Sequence, residues 1–160
     1  MSYIYKKSVL TPNRLALIEF GRSVQPTHLV TLNFHAKYTT ANAEKVLARW
    51  YAAVTRRLFR ALHQHADQRI DFIAYPEYSL AGNIHYHAVI RIPAEYVAGF
   101  ARVGSDRWKR LVPTSTFDVR PIVREADQLD ELEDVLSYVT KSESAREVVH
   151  SGMFHNLKNL

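Results

Sequence analysis

The sequence contains no cysteine. That absence excludes a disulfide framework, a thiolate metal site and a cysteine nucleophile together. No apolar run approaches the roughly 18 residues that a membrane-spanning helix needs. The opening Met-Ser-Tyr-Ile-Tyr-Lys-Lys lacks the apolar stretch of a secretory signal, so a cytosolic or nuclear protein is expected. Only 5 glycines and 6 prolines occur among 160 residues, with no linker, internal repeat or low-complexity tract. One domain spanning 1–160 is therefore expected. A chain of this length buries about two thirds of its unfolded surface and holds a core without staples. Acid is scarce through most of the chain: residues 1–124 carry 18 Lys/Arg against 8 Asp/Glu, a balance of +10. Residues 125–160 carry 3 against 8, a balance of −5. A basic body with an acidic end segment points to a polyanionic partner for the body.

Strands and helices alternate along the chain. Residues 14–20 (RLALIEF) read as a first strand, and 27–34 (THLVTLNF) as a second, richer in β-branched residues. Thr40 offers an N-cap for a helix over about 41–65. Its apolar face runs through Leu47, Trp50, Tyr51, Val54, Leu58, Ala61 and Leu62, with Arg49, Arg56 and Arg60 opposite. Residues 70–78 and 85–92 form a hairpin across an Ala-Gly-Asn turn. A helix over 94–111, a strand over 116–122 and a helix over about 127–142 follow. Leu129, Leu132, Leu136 and Val139 mark the inner face of that last helix. The order over 27–122 is β-α-β-β-α-β. This predicts an α+β fold: a central antiparallel sheet with a ferredoxin- or RNA-recognition-like core, helices mostly on one side, and a C-terminal tyrosine-bearing helix.

His85 and His87 stand two residues apart on a strand, so both imidazoles leave the same face. Alone, such a pair equally suits a solvated strand face. Glu77 lies across the hairpin turn. If it pairs with either histidine, all three side chains share one face, and a one-residue slip turns Glu77 away. Two imidazoles and a carboxylate suit a divalent ion such as Mn²⁺, Mg²⁺, Co²⁺, Ni²⁺ or Zn²⁺. Three protein ligands leave positions open for catalysis. Tyr138 falls at the edge of the apolar stripe on the last helix, with Lys141 three residues on and on the same side. A tyrosine at that edge often serves packing, but a phenol beside a cation can also act as a nucleophile.

Glu77-x7-His85-Tyr86-His87 followed by Tyr138-Val-Thr-Lys141 resembles the HUH endonuclease superfamily, and within it the rolling-circle replication initiators (Rep) with one catalytic tyrosine. Tyr86 fills the hydrophobic position, which is more often aliphatic. THLVTLNF at 27–34 is similar to the family's first motif, and the resemblance covers roughly 27–142. The histidine pair precedes the tyrosine, as in Rep proteins and HUH transposases rather than conjugative relaxases. No phosphate-loop motif occurs, so no helicase domain is expected. The resemblance implies nicking and rejoining of single-stranded DNA through a 5′-phosphotyrosine intermediate. Glu77, His85 and His87 would hold one divalent ion, Mn²⁺ or Mg²⁺ foremost. Tyr138 would attack, and Lys141 would orient the phosphate or stabilise the phenolate. The implied partners are an origin hairpin and a host helicase and polymerase. The location would be cytoplasmic for a plasmid or phage and nuclear for a eukaryotic virus.

DNA binding is expected to be largely electrostatic. Arg56 and Arg60 are candidate contacts, as are Trp108, Lys109 and Arg110 in a stretch, 102–115, that reads as an origin-reading loop. Bases would stack there on an exposed Trp108. The remaining histidines read as structural. Two alternatives stay open. One is an HUH transposase working as a dimer. The other is a non-enzymatic RNA-recognition-type module, which requires aromatics on an open sheet face.

Overall fold

The computed structural model describes residues 10–59, 69–123, 131–142 and 147–154. Four helices and five strands follow one another as α1 (Pro12–Ser23), β1 (His28–Asn33), α2 (Thr40–Phe59), β2 (Asp71–Tyr78), β3 (Ile84–Arg91), α3 (Val97–Leu111), β4 (Phe117–Pro121), α4 (Glu131–Val139) and β5 (Val149–His150). The strands form one antiparallel sheet in the order β4-β1-β3-β2-β5. Its first four members are the expected β-α-β-β-α-β core.

Residues 14–20 are helical, which corrects the reading of RLALIEF as a strand. The start signal lies just upstream. Thr11 accepts the Arg14 N–H on its hydroxyl at 3.1 Å, and Pro12 occupies the first turn, where no N–H is needed. Thr39, rather than Thr40, caps α2: its hydroxyl accepts the Asn42 N–H at 3.2 Å, and Thr40 is already helical. The hairpin turn closes as expected, with Gly82 at φ +79°, a left-handed conformation that favours glycine.

Strand alternation sends two apolar sets to opposite faces. Tyr86, Ala88 and Ile90 of β3 join Trp50, Phe100 and Trp108 beneath α2 and α3. Val89 joins Leu29, Ile73 and Tyr75 against Leu17 and Ile18 of α1 and Leu132, Val135, Leu136 and Val139 of α4. Helices therefore cover both faces, not mostly one. A second apolar strand face requires its own cover, and α1 with α4 supplies it. Leu129, Ala61, Leu62 and Arg60 lie outside the described residues, as do the expected starts and ends of their helices.

The expected loop over 102–115 is helical through Leu111. Phe100, Val103, Gly104 and Trp108 are spaced as one helical face and are buried. Trp108 is 0% exposed, and its indole N–H donates to the Asn33 carbonyl at 3.2 Å. Its ring meets those of Phe34 and Trp50 edge-on. A base cannot stack on it, so the expectation of an exposed origin-reading tryptophan is corrected.

Candidate metal centre

The register of the hairpin pairs Glu77 with His85 and Tyr75 with His87. On the other flank of β3, Thr31 of β1 lies opposite His87. All these side chains belong to the face covered by α1 and α4. The Glu77 carboxylate oxygen Oε2 lies 2.9 Å from His87 Nε2 and 3.3 Å from His85 Nε2. The three ligand atoms fall within 4.8 Å of one another. Donors about 2.1 Å from one ion and at right angles stand about 3 Å apart. The glutamate-to-histidine spacings match that edge length, so this group can hold a metal ion. Thr31 Oγ1 lies 3.3 Å from His87 Nδ1, the ring nitrogen turned away from Glu77. A second hydrogen bond of that kind fixes the ring's orientation.

The other carboxylate oxygen, Oε1, receives Lys141 Nζ at 2.6 Å. Burial opposes ionisation of Glu77, but Lys141, by hydrogen bond and charge, and His87 outweigh it and hold the carboxyl below its ordinary range. Burial, aided by the neighbouring His85, pushes the His87 imidazole down against the pull of Glu77. Both shifts favour the ligating forms, a carboxylate and a neutral imidazole. Burial also works against the Lys141 ammonium, yet Glu77 and Tyr138 together raise its pKa and keep it charged.

Tyr138 sits on α4 with its ring centroid 5.3 Å from that of His87 and is 40% exposed. Lys141 Nζ lies 4.2 Å from the centre of the tyrosine ring. One ammonium thus bridges the carboxylate of the histidine cluster and the phenol. The C-terminal end of α4 is clasped from α1. Arg14 donates to the Ser137 carbonyl at 2.6 Å, satisfying one of the orphan carbonyls of the last turn. It also reaches the Ser137 and Thr140 hydroxyls at 3.2 and 3.4 Å. Tyr75 ties α1 to the sheet by donating its hydroxyl to the Leu17 carbonyl at 2.8 Å. Arg14 and Thr31 escape sequence reasoning. Nothing in the local pattern of either pairs it with residues so far along the chain.

A cleft of about 470 Å³ opens beside His87 and Tyr138, bounded further by Thr31, Arg120, Glu131 and Asp134. Arg120 binds Glu131 at 2.7 Å, and the Val123 N–H donates to the same carboxylate at 2.6 Å. Together they hold its pKa low.

The basic candidates fall elsewhere. Arg56, Lys109 and Arg110 are exposed on α2 and α3, the helices that cover the opposite face of the sheet. The structure does not bring them to the Glu77 cluster. Among the described residues no helix is long and apolar enough to cross a membrane.

A family model for replication-associated proteins of the ORF2 type matches residues 27–144. This span begins just before β1 and ends just past Lys141. No curated protein and no solved structure matches the chain.

Proposed function

The chain belongs to this family of ORF2-type replication-associated proteins, and on that premise we propose that it is a single-domain, HUH-type Rep endonuclease. In this reading it nicks and rejoins single-stranded DNA at a replication origin hairpin. The observation that carries the proposal is the convergence of Glu77, His85 and His87 next to Tyr138 and Lys141.

Glu77, His85 and His87 would hold one divalent ion, Mn²⁺ or Mg²⁺. Such an ion supplies charge withdrawal from an oxygen of the scissile phosphate. The cleft beside His87 receives the strand, and Thr31 and Lys141 keep the histidine and the carboxylate aimed. The Tyr138 phenol oxygen then attacks phosphorus. A phosphorus–phenol oxygen bond forms as the bond to the 3′-oxygen breaks. The phenol gives up its proton, and the departing 3′-oxygen takes one up. Lys141, a charge against the tyrosine ring, stabilises the phenolate as it develops. The phosphoester is conserved in the link to Tyr138, so a later 3′-hydroxyl can reverse the step and reseal the strand. The free 3′-hydroxyl can prime synthesis, with helicase and polymerase supplied by the host.

An RNA-recognition-type binding module is the poorer reading, because α1 and α4 cover the sheet face that such a module leaves open. The direct test is incubation with Mn²⁺ and a labelled single-stranded oligonucleotide carrying the origin. The proposal expects a denaturation-resistant protein–DNA band that chelator abolishes. It also expects Tyr138→Phe to remove the band while leaving oligonucleotide binding nearly intact. A band that persists in Tyr138→Phe assigns the nucleophile elsewhere.

A further inference from the structure

A second cleft, of about 410 Å³, lies between α2 and α3, on the side of the sheet away from Glu77. Arg57, Arg102, Arg107 and Arg110 line it, with Asp106 the one acid among its lining residues. Asp106 is already taken by Arg110 at 3.2 Å. Among the described residues no carboxylate pairs with Arg57, Arg102 or Arg107, and the buried Arg107 Nε makes no hydrogen bond. Guanidiniums that share a cleft without counter-charge repel one another, and an anion with fork-matching oxygens relieves that repulsion.

The spacing indicates a polyanion rather than one phosphate. Arg102 and Arg110 are eight helical residues apart, about 12 Å along the axis. A duplex carries a charge about every 3.4 Å along each strand, so the row spans several phosphates. The lining chemistry indicates a duplex rather than a single strand. Single-strand platforms stack bases on aromatic rings. No aromatic lines this cleft, and the neighbouring Trp108 is wholly buried. Contact restricted to the backbone suits a helix whose bases are already stacked inside.

We propose that the arginine cleft between α2 and α3 holds the phosphate backbone of duplex DNA, as a docking site separate from the tyrosine centre. The inference rests on the family's replication role and not on the nicking chemistry. Its test is therefore run in chelator, where the absence of nicking alters nothing. Binding of a short labelled duplex of arbitrary sequence is followed by fluorescence anisotropy over a range of salt. Arg57 and Arg102 are exposed, so glutamine there leaves the fold in place, which thermal melting verifies. The double variant Arg57→Gln, Arg102→Gln should bind about tenfold more weakly, with a salt slope reduced by about two, one per lost phosphate contact. The loss should be the same for duplexes of different sequence, because backbone contacts carry no sequence information. Arg56→Gln, next in sequence but outside the cleft, should lose far less than Arg57→Gln alone. Equal losses for Arg56→Gln and Arg57→Gln would mean diffuse surface charge and overturn the proposal. So would an equal loss of single-strand binding in the double variant, or no measurable duplex binding by the unaltered protein.

Discussion

The two faces of the sheet are built by the same alternation yet carry opposite kinds of side chain. Beneath α2 and α3 every inward position of β3 is apolar: Tyr86, Ala88 and Ile90 meet two tryptophans and two phenylalanines. Beneath α1 and α4 the same strand begins with His85 and His87 and becomes apolar only at Val89. The first face is spent on stability. The second is apolar where the helices cover it and polar where α4 ends, which is where the Glu77 cluster sits. A substitution on the first face should therefore unfold the chain, and one in the polar part of the second should disable it while it stays folded.

Trp108→Ala breaks or confirms the first half of that contrast. Removing a fully buried indole that also satisfies the Asn33 carbonyl should cost about 3–5 kcal/mol, read as a large drop in the denaturant midpoint. Loss of DNA binding without loss of stability would show that the tryptophan serves the ligand after all. His87→Ala probes the other half. It should weaken Mn²⁺ binding, measured by calorimetry, and nicking by at least about a hundredfold, or about 2.7 kcal/mol. Melting should change little.

Gly21→Ala tests how tightly α1 roofs the second face. A Cβ there would overlap the Tyr75 hydroxyl and lie 2.5 Å from Leu136 Cδ2. Overpacking of that kind costs about 1–3 kcal/mol, against about 1 kcal/mol gained from helix propensity. A net drop in melting temperature is expected, and a rise would mean α1 is free to shift.

Acid should act on the second face selectively. Burial and His85 set the His87 imidazole below its ordinary 6.5. Despite burial, Lys141 and His87 set the Glu77 carboxyl below its ordinary 4.5. In both cases the unfolded chain binds the proton more readily, so stability is complete above these values and declines as pH falls below them. Between pH 6.5 and 5 the decline should come from His87 and flatten in His87→Ala, as read by denaturant midpoints across pH. The smallest effect belongs to the first face. The Tyr86 hydroxyl is buried and finds no partner among the described residues. Tyr86→Phe should then raise stability by about 1 kcal/mol, and a loss of stability would reveal a hydrogen bond to that hydroxyl.

Much of this contrast is legible in the sequence because it is local. The hairpin over 70–92 is fixed by a short turn, and a short turn fixes register, so Glu77 falls opposite His85 as the spacing implies. The apolar stripes of α2 and α4 are equally local. The strand reading of 14–20 fails because seven residues of mixed apolarity fit either period, while the Thr11-Pro12 start signal just outside that window decides for a helix. Trp108 fails as an exposed residue because a basic, turn-rich composition outweighed the helical spacing that buries it. The Arg14 clasp and the Lys141 bridge to Glu77 depend on how α1 and α4 dock, and no pattern within one segment encodes that.

The most direct measurement is the site of covalent attachment. The adduct formed with Mn²⁺ and a single-stranded origin oligonucleotide is digested with protease and nuclease, and the modified peptide is sequenced by mass spectrometry. A residual nucleotide phosphate on Tyr138 alone is the result expected. A nucleotide on any of the other tyrosines, or no modified peptide from active protein, would contradict it.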